Sequence, residues 1–264
     1  AIFMLVLMLA CQSGSRPIDN NLMARMARLQ IIFVAASLYF VLVYHMTYAI
    51  GGSVSAPKWL VPFVFLGHSG VTLFFAVSAF TLCLSMEARR QGEVHYVTNY
   101  FIRRFFRIAP LFYLWVVIMC VRSLQFGGAL PPVSEIAISV FFIQNLFPGH
   151  EAGIVWASWT IGVEMLFYLM FPLAFRYVNT LPKGLVVLAL SIALQAPWYY
   201  LVTTMVSDLT IAQRYWELSL PLHFSAFTSG IVAFQLYKWM DKNIERKRAV
   251  GLVVQKVLWQ RALF

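Results

Sequence analysis

The stretch that decides the fold is Ala157-Ser158-Trp159-Thr160-Ile161-Gly162-Val163-Glu164-Met165-Leu166-Phe167-Tyr168-Leu169-Met170-Phe171-Pro172. With its continuation to Phe175 it approaches the roughly 20 apolar residues that a helix needs to cross a bilayer. It contains Glu164, the one acidic residue that falls well inside a long apolar run of this chain. An acid at membrane depth costs roughly 2.5–3.5 kcal/mol on insertion scales, so it faces a partner or a cavity rather than lipid. Thr160 and Tyr168 stand one turn before and one turn after it, on the same helix face.

The rest of the chain agrees with a membrane setting. Its 264 residues are 61% hydrophobic and 11% charged, against about 45–50% and about 25% in a soluble domain. The fold class this implies is all-α: a polytopic integral membrane helical bundle. The formal net charge of +10 is dispersed between apolar runs, so it reads as cytoplasmic loops. No polar domain is left to form a nucleic-acid groove, and no nucleic-acid partner is expected. Cys11, Cys83 and Cys120 form no CxxC pair and no even framework, so we expect neither a disulfide scaffold nor a metal site.

Apolar runs at Gln30–Ile50, Leu60–Ser85, Asn99–Val121, Ala157–Phe175, Leu185–Val206 and Leu218–Trp239 read as spans, and Ile136–Phe147 as a short piece that re-enters or tilts. The count is six or seven. Basic loops place the N-terminal arm and the Glu87–Arg107 loop in the cytoplasm. Seven crossings put the basic tail outside. Six, with Ile136–Phe147 re-entrant, put it inside, in better accord with the charges. Residues 1–28 read as a partly apolar arm that need not be native to the domain; Ala1–Cys11 covers only about half a bilayer, and Met23 is an alternative natural start. Residues 29–240 form the membrane domain, which is expected to be C-terminally incomplete. Residues 241–264 form a basic tail whose Val250–Leu263 segment suits a surface helix. There is no internal repeat.

Three further groups carry chemistry. His45, in Val41-Leu42-Val43-Tyr44-His45, is an imidazole in an apolar run, suited to act as a general base or to tie two helices together. Arg103, Arg104 and Arg107 open a span; positions 104 and 107 share a helix face and suit a phosphate or pyrophosphate. They suit equally the role of topology anchors. Gly70, Ser78 and Ala79 are small residues fit for close helix packing, with Ser78 also a candidate substrate contact. Trp159 and Tyr168 read either as substrate contacts or as packing and interfacial aromatics. No Gly-x-Ser-x-Gly elbow occurs, so a serine nucleophile is not expected.

In this order the motifs resemble those of the acyltransferase 3 family of multi-pass membrane acyltransferases. His45 is similar to the histidine near the end of that family's first helix. Gly70-Val71-Thr72-Leu73-Phe74-Phe75-Ala76-Val77-Ser78-Ala79-Phe80 resembles G-V-D-x-F-F-x-x-S-G-F. Arg104-x-x-Arg107-Ile108-Ala109-Pro110 resembles R-x-x-R-I-x-P, and Ser158-Trp159 through Glu164, Phe167, Tyr168 and Pro172 resembles S-L/W-x-x-x-E-x-x-F-Y-x-x-x-P. Leu222 to Gly230 resembles a later helix more loosely. Coverage runs from about residue 29 to residue 240. The chain departs from the pattern at Val34 and Phe33, in the region where an arginine is usual, at Thr72 in place of an aspartate and at Ala79 in place of a glycine. Family members also carry more helices than the six or seven counted here.

The resemblance implies an O-acyltransferase of the bacterial inner membrane. Acyl-CoA, acetyl-CoA above all, is its co-substrate, with no permanently bound cofactor. The acceptor is a hydroxyl of a glycan or lipid-linked glycan on an exported or surface polysaccharide. Arg103, Arg104 and Arg107 are expected to hold the CoA phosphates. His45 is expected to take the hydroxyl proton or the acyl group itself, with Glu164 orienting it or binding the acceptor. Ser78, Trp159 and Tyr168 are expected to contact substrate. The rival readings are a proton-coupled transporter relaying through Glu164 and His45, and an inactive or truncated relative.

Overall fold

The computed structural model describes residues 35, 39, 41–44, 69–90, 92–126 and 128–261, with the backbone alone for 242–261. His45, Val34 and most of the expected first span lie outside the described residues. Those described form helices and connecting turns, with no strand among them. The helices are α1 (Ser69–Arg89), α2 (Tyr96–Gln125), α3 (Val133–Val140), α4 (Trp159–Tyr177), α5 (Leu181–Ala193), α6 (Gln195–Met205), α7 (Leu209–Leu218) and α8 (Leu220–Arg261), with a 3-10 turn at Gln144–Leu146. Among the described residues three helices are long and apolar enough to cross a membrane: α1, α2 and the rod Leu181–Met205 that α5 and α6 make together.

Proline explains the break in that rod. Pro197 has no N–H for the Ala193 carbonyl one turn back, and the helix is interrupted at Leu194. Gln195, beside the break, donates to the Leu222 carbonyl at 3.2 Å and to Ser225 Oγ at 3.0 Å on α8. The short piece Ile136–Phe147 resolves into α3, whose eight residues rise only about 12 Å, and the 3-10 turn. Tyr113 OH on α2 donates to the Val140 carbonyl at the end of α3, 2.9 Å away. α7, which hydropathy alone does not mark, begins where Asp208 accepts the backbone N–H of Thr210 and Ile211 at 2.8 and 3.1 Å, a side-chain N-cap.

The core lies between α1, α4 and α8. Phe75, Phe167, Phe171, Phe227 and Phe234 are its largest fully buried rings. Phe227 stacks on Phe167 with ring centres 3.9 Å apart and on Phe75 at 4.6 Å. α8 packs most extensively on α1 because Gly230 leaves room for it. A Cβ at Gly230 would stand 2.1 Å from the Ala76 carbonyl oxygen and 3.0 Å from Ala79 Cβ, a small-residue contact of the kind that membrane helices use to approach closely. Because the obstacle is backbone, Gly230→Ala is expected to push the helices apart and to cost about 1–3 kcal/mol. A lowered thermal midpoint of the purified protein in detergent measures this, and an unchanged midpoint shows that the contact is not tight.

Candidate active site

Glu164 is 7% exposed, and its Oε1 accepts from two hydroxyls. Ser78 Oγ on α1 donates at 2.8 Å. Tyr168 OH, one turn along α4, donates the second. The two hydroxyls are themselves 3.3 Å apart. Both bonds fall on one carboxylate oxygen, and among the described residues no hydrogen bond reaches Oε2. Ser78 is thus drawn into a polar contact with the acid while Ala79 beside it packs on Gly230, so the small-residue stretch of α1 serves both purposes.

A second proline ties this acid to the arginines. Pro172 has no N–H for the carbonyl of Tyr168 four residues earlier, and Tyr100 OH on α2 donates to that carbonyl at 3.2 Å. The rings of Tyr100 and Tyr168 are thereby held 6.5 Å apart, edge to face. The guanidinium of Arg104 lies over both, 6.0 Å from the Tyr100 ring centre and 5.6 Å from that of Tyr168, within range for cation–π attraction. Arg107 and Arg104 both act electrostatically on Glu164.

Beyond Arg104 opens a cavity of about 220 Å³ lined by Tyr100, Arg103, Arg104 and Arg107 of α2 and by Ser85, Met86 and Arg89 of α1. Four guanidiniums therefore border one hollow. Arg103 is engaged: its Nη1 donates to both oxygens of Glu93, at 3.1 and 3.0 Å. Glu93 sits in the turn between α1 and α2. Hydrogen bonds from Arg103 and Asn99 hold its carboxyl below the ordinary carboxylate range, so the pair persists as pH falls until that lowered value is passed. Arg104 and Arg107 have no salt bridge among the described residues. They are the pair that the i, i+3 spacing singles out. Tyr100 and Arg89 escape sequence reading, because only the docking of α1 on α2 brings them to the cavity.

Trp159 stands apart from this acid. Its ring lies 5.1 Å from that of His223 at 32° and meets Phe75 edge-on at 6.3 Å. His223 Nε2 lies 2.9 Å from the Glu217 carbonyl. A carbonyl only accepts, so Nε2 carries the proton and Nδ1 is the acceptor. Tyr168, by contrast, lies between Glu164 and Arg104 and touches both. Among the described residues no group of three or more His, Cys, Asp or Glu side chains is arranged to hold a metal; Cys83 and Cys120 are free thiols.

Residues 35–254 match the family model described as an acyltransferase domain, that of acyltransferase 3. Among curated proteins, the chain is 25% identical over 201 residues to a protein named as an acetyltransferase, ORF330, of Acidianus two-tailed virus, covering 76% of this chain and 54% of the relative. It is 31% identical over 123 residues to the acyltransferase MdmB of Streptomyces mycarofaciens, covering 44% of this chain and 30% of that protein. The chain thus spans about half the length of the first relative and under a third of the second. No solved structure matches it.

Proposed function

Because the chain belongs to the acyltransferase 3 family, we propose that it is a multi-pass O-acyltransferase of the bacterial inner membrane that moves an acyl group, acetyl in the first instance, from acyl-CoA to a glycan hydroxyl. The observation that carries this reading is the joining of two kinds of site through one tyrosine. Tyr168 donates to the buried acid Glu164 and presents its ring to Arg104 at the edge of a cavity with four arginines. Guanidinium forks suit the phosphates of CoA. A buried carboxylate whose second oxygen meets no hydrogen bond among the described residues suits the orientation of a base or of an attacking hydroxyl.

In the proposed reaction the acceptor hydroxyl gives up its proton as its oxygen bonds to the thioester carbonyl carbon. The carbon–sulfur bond breaks, and CoA leaves as a thiolate that takes up a proton. Arg104 and Arg107 hold the donor phosphates, with Arg103 and its partner Glu93 at the rim. His45, the histidine that the family resemblance marks as the base, takes the hydroxyl proton. Glu164 Oε2 orients that imidazole or the acceptor, and Ser78 fixes the carboxylate from the other side. Six spans, with α3 and the following turn re-entrant, would bring the basic end of α8 to the cytoplasmic side, where Arg89, Arg103 and Glu93 also lie under the charge bias of the loops.

Radiolabelled acetyl-CoA and membranes bearing the full-length protein test the reading. We expect labelled glycan from the wild type and none from His45→Ala, with the variant inserted at wild-type level. Product formation by that variant at the wild-type rate shows that His45 is not the base. Proton-driven solute uptake that is independent of CoA supports a transporter instead.

A further inference from the structure

One carboxylate divides the four arginines of the cavity between α1 and α2 into two pairs. Glu93, in the turn that joins those helices, accepts at both oxygens from Arg103 Nη1, at 3.1 and 3.0 Å, and at Oε2 from Asn99 Nδ2 at 3.2 Å. Arg89 Nη1 stands 3.7 Å from Oε1. The turn fixes the acid there, because the Glu93 N–H donates to the Arg89 carbonyl at 3.0 Å. Arg89 and Arg103 line the cavity and Glu93 does not, so the acid engages two guanidiniums that the cavity also presents. Arg104 and Arg107 line the same hollow and form no salt bridge among the described residues.

The cavity thus has two stations for anions. The pair Arg104 and Arg107 is open. The pair Arg89 and Arg103 already grips an anion, and that anion belongs to the chain. A phosphate monoester offers guanidiniums the same kind of oxygens, with one acceptor more and a charge of about −1.5 to −2 near neutral pH, against a single charge on the carboxylate. The exchange is cheap. The side chains of Arg89, Arg103 and Glu93 are 42%, 38% and 28% exposed, and ion pairs open to water contribute little. The same exposure gives a ligand access to both guanidiniums.

We propose that Glu93 occupies a second phosphate station, formed by Arg89 and Arg103, and that the 3′-phosphate of the coenzyme replaces it while Arg104 and Arg107 hold the diphosphate. Coenzyme A carries these two anions on one ribose, a short way apart, as the two pairs are. The assignment to a coenzyme rests on the function proposed above. Glu93 is then a specificity-determining residue: the gain from the extra phosphate is reduced by the contacts it must break, so the acid sets how strongly the site prefers a donor that bears it. Arg89, which the Arg-x-x-Arg spacing leaves out, enters the site on the same terms as Arg103.

The test titrates coenzyme A and 3′-dephospho-coenzyme A, each in turn, into the full chain in lipid nanodiscs. The ratio of the two dissociation constants isolates the 3′-phosphate, and a loss of folded protein cancels in it because both ligands are read on one sample. Glu93→Gln keeps an amide oxygen for Arg103 and Asn99 but removes the charge that opposes a second phosphate, so the preference for coenzyme A is expected to rise about tenfold over that of the wild type. Arg89→Ala with Arg103→Ala is expected to abolish the preference. Arg104→Ala with Arg107→Ala is expected to weaken both ligands and keep it. A preference unchanged in Glu93→Gln, or one that survives the loss of Arg89 and Arg103, overturns the proposal and leaves donor binding by Arg104 and Arg107 in place. A wild type that binds neither ligand overturns the cavity as a donor site and the proposal with it. The expected ratios in a protein that transfers no acyl group overturn the acyltransferase reading instead and leave the second station standing.

Discussion

Glu164→Gln is expected to lower acyl transfer by about 10²–10⁴-fold, the usual range for loss of a group that works with a general base, while leaving acyl-CoA binding unchanged. The substitution keeps the volume of the side chain and an amide oxygen to accept from Ser78 and Tyr168, so the helices it joins stay joined. It removes the negative charge that an imidazole or a hydroxyl would meet at Oε2. Single-turnover transfer from labelled acetyl-CoA, run beside equilibrium donor binding, separates the two effects. Transfer at the wild-type rate would leave Glu164 as a tie between α1 and α4 and nothing more.

The paired substitution Arg104→Ala with Arg107→Ala is expected to act on the other half of the reaction. Hydrogen bonds to charged groups are worth about 1.5–3 kcal/mol each, so losing one from each arginine raises the donor dissociation constant by about 10²–10⁴-fold. The effect should shrink as salt rises, because both partners are charged. Arg103→Ala provides the contrast. Its guanidinium already serves Glu93, and its loss is expected to change donor affinity less. Isothermal titration of CoA into the purified protein reads both variants beside the wild type. An unchanged affinity in the double variant reduces Arg104 and Arg107 to topology anchors.

The sequence shows which parts of this arrangement are written locally and which are not. Apolar run length marks α1, α2, α4, the Leu181–Met205 rod and the first half of α8, because a helix in lipid must satisfy its own backbone and carry apolar side chains outward. Glu164 stands out for the same reason: a single acid in such a run has no local excuse. Arg104 and Arg107 follow from the three-residue spacing that puts them on one face. The remaining features depend on distant parts of the chain. Nothing local in Phe147-Pro148-Gly149-His150-Glu151-Ala152-Gly153 marks Glu151 as buried; its partner Arg214 stands 63 residues later. α7 is too polar to register as a span and too short to register by period. Arg89 reads as the end of α1 until α2 packs beside it and closes a cavity. The role of Tyr100 is legible only once its hydroxyl is seen to fill the place of the N–H that Pro172 lacks.

That proline makes the arginine-lined cavity and the acid mechanically one object. A residue with an amide hydrogen at position 172 would let α4 close its own ladder, and Tyr100 would lose the anchor that keeps its ring against Arg104. If Arg104 holds donor phosphates as proposed, that grip would slacken through a change that touches neither the cation nor the carboxylate. Position 172 is therefore a place where a single substitution would loosen the ring under Arg104 while every charged side chain stays in place.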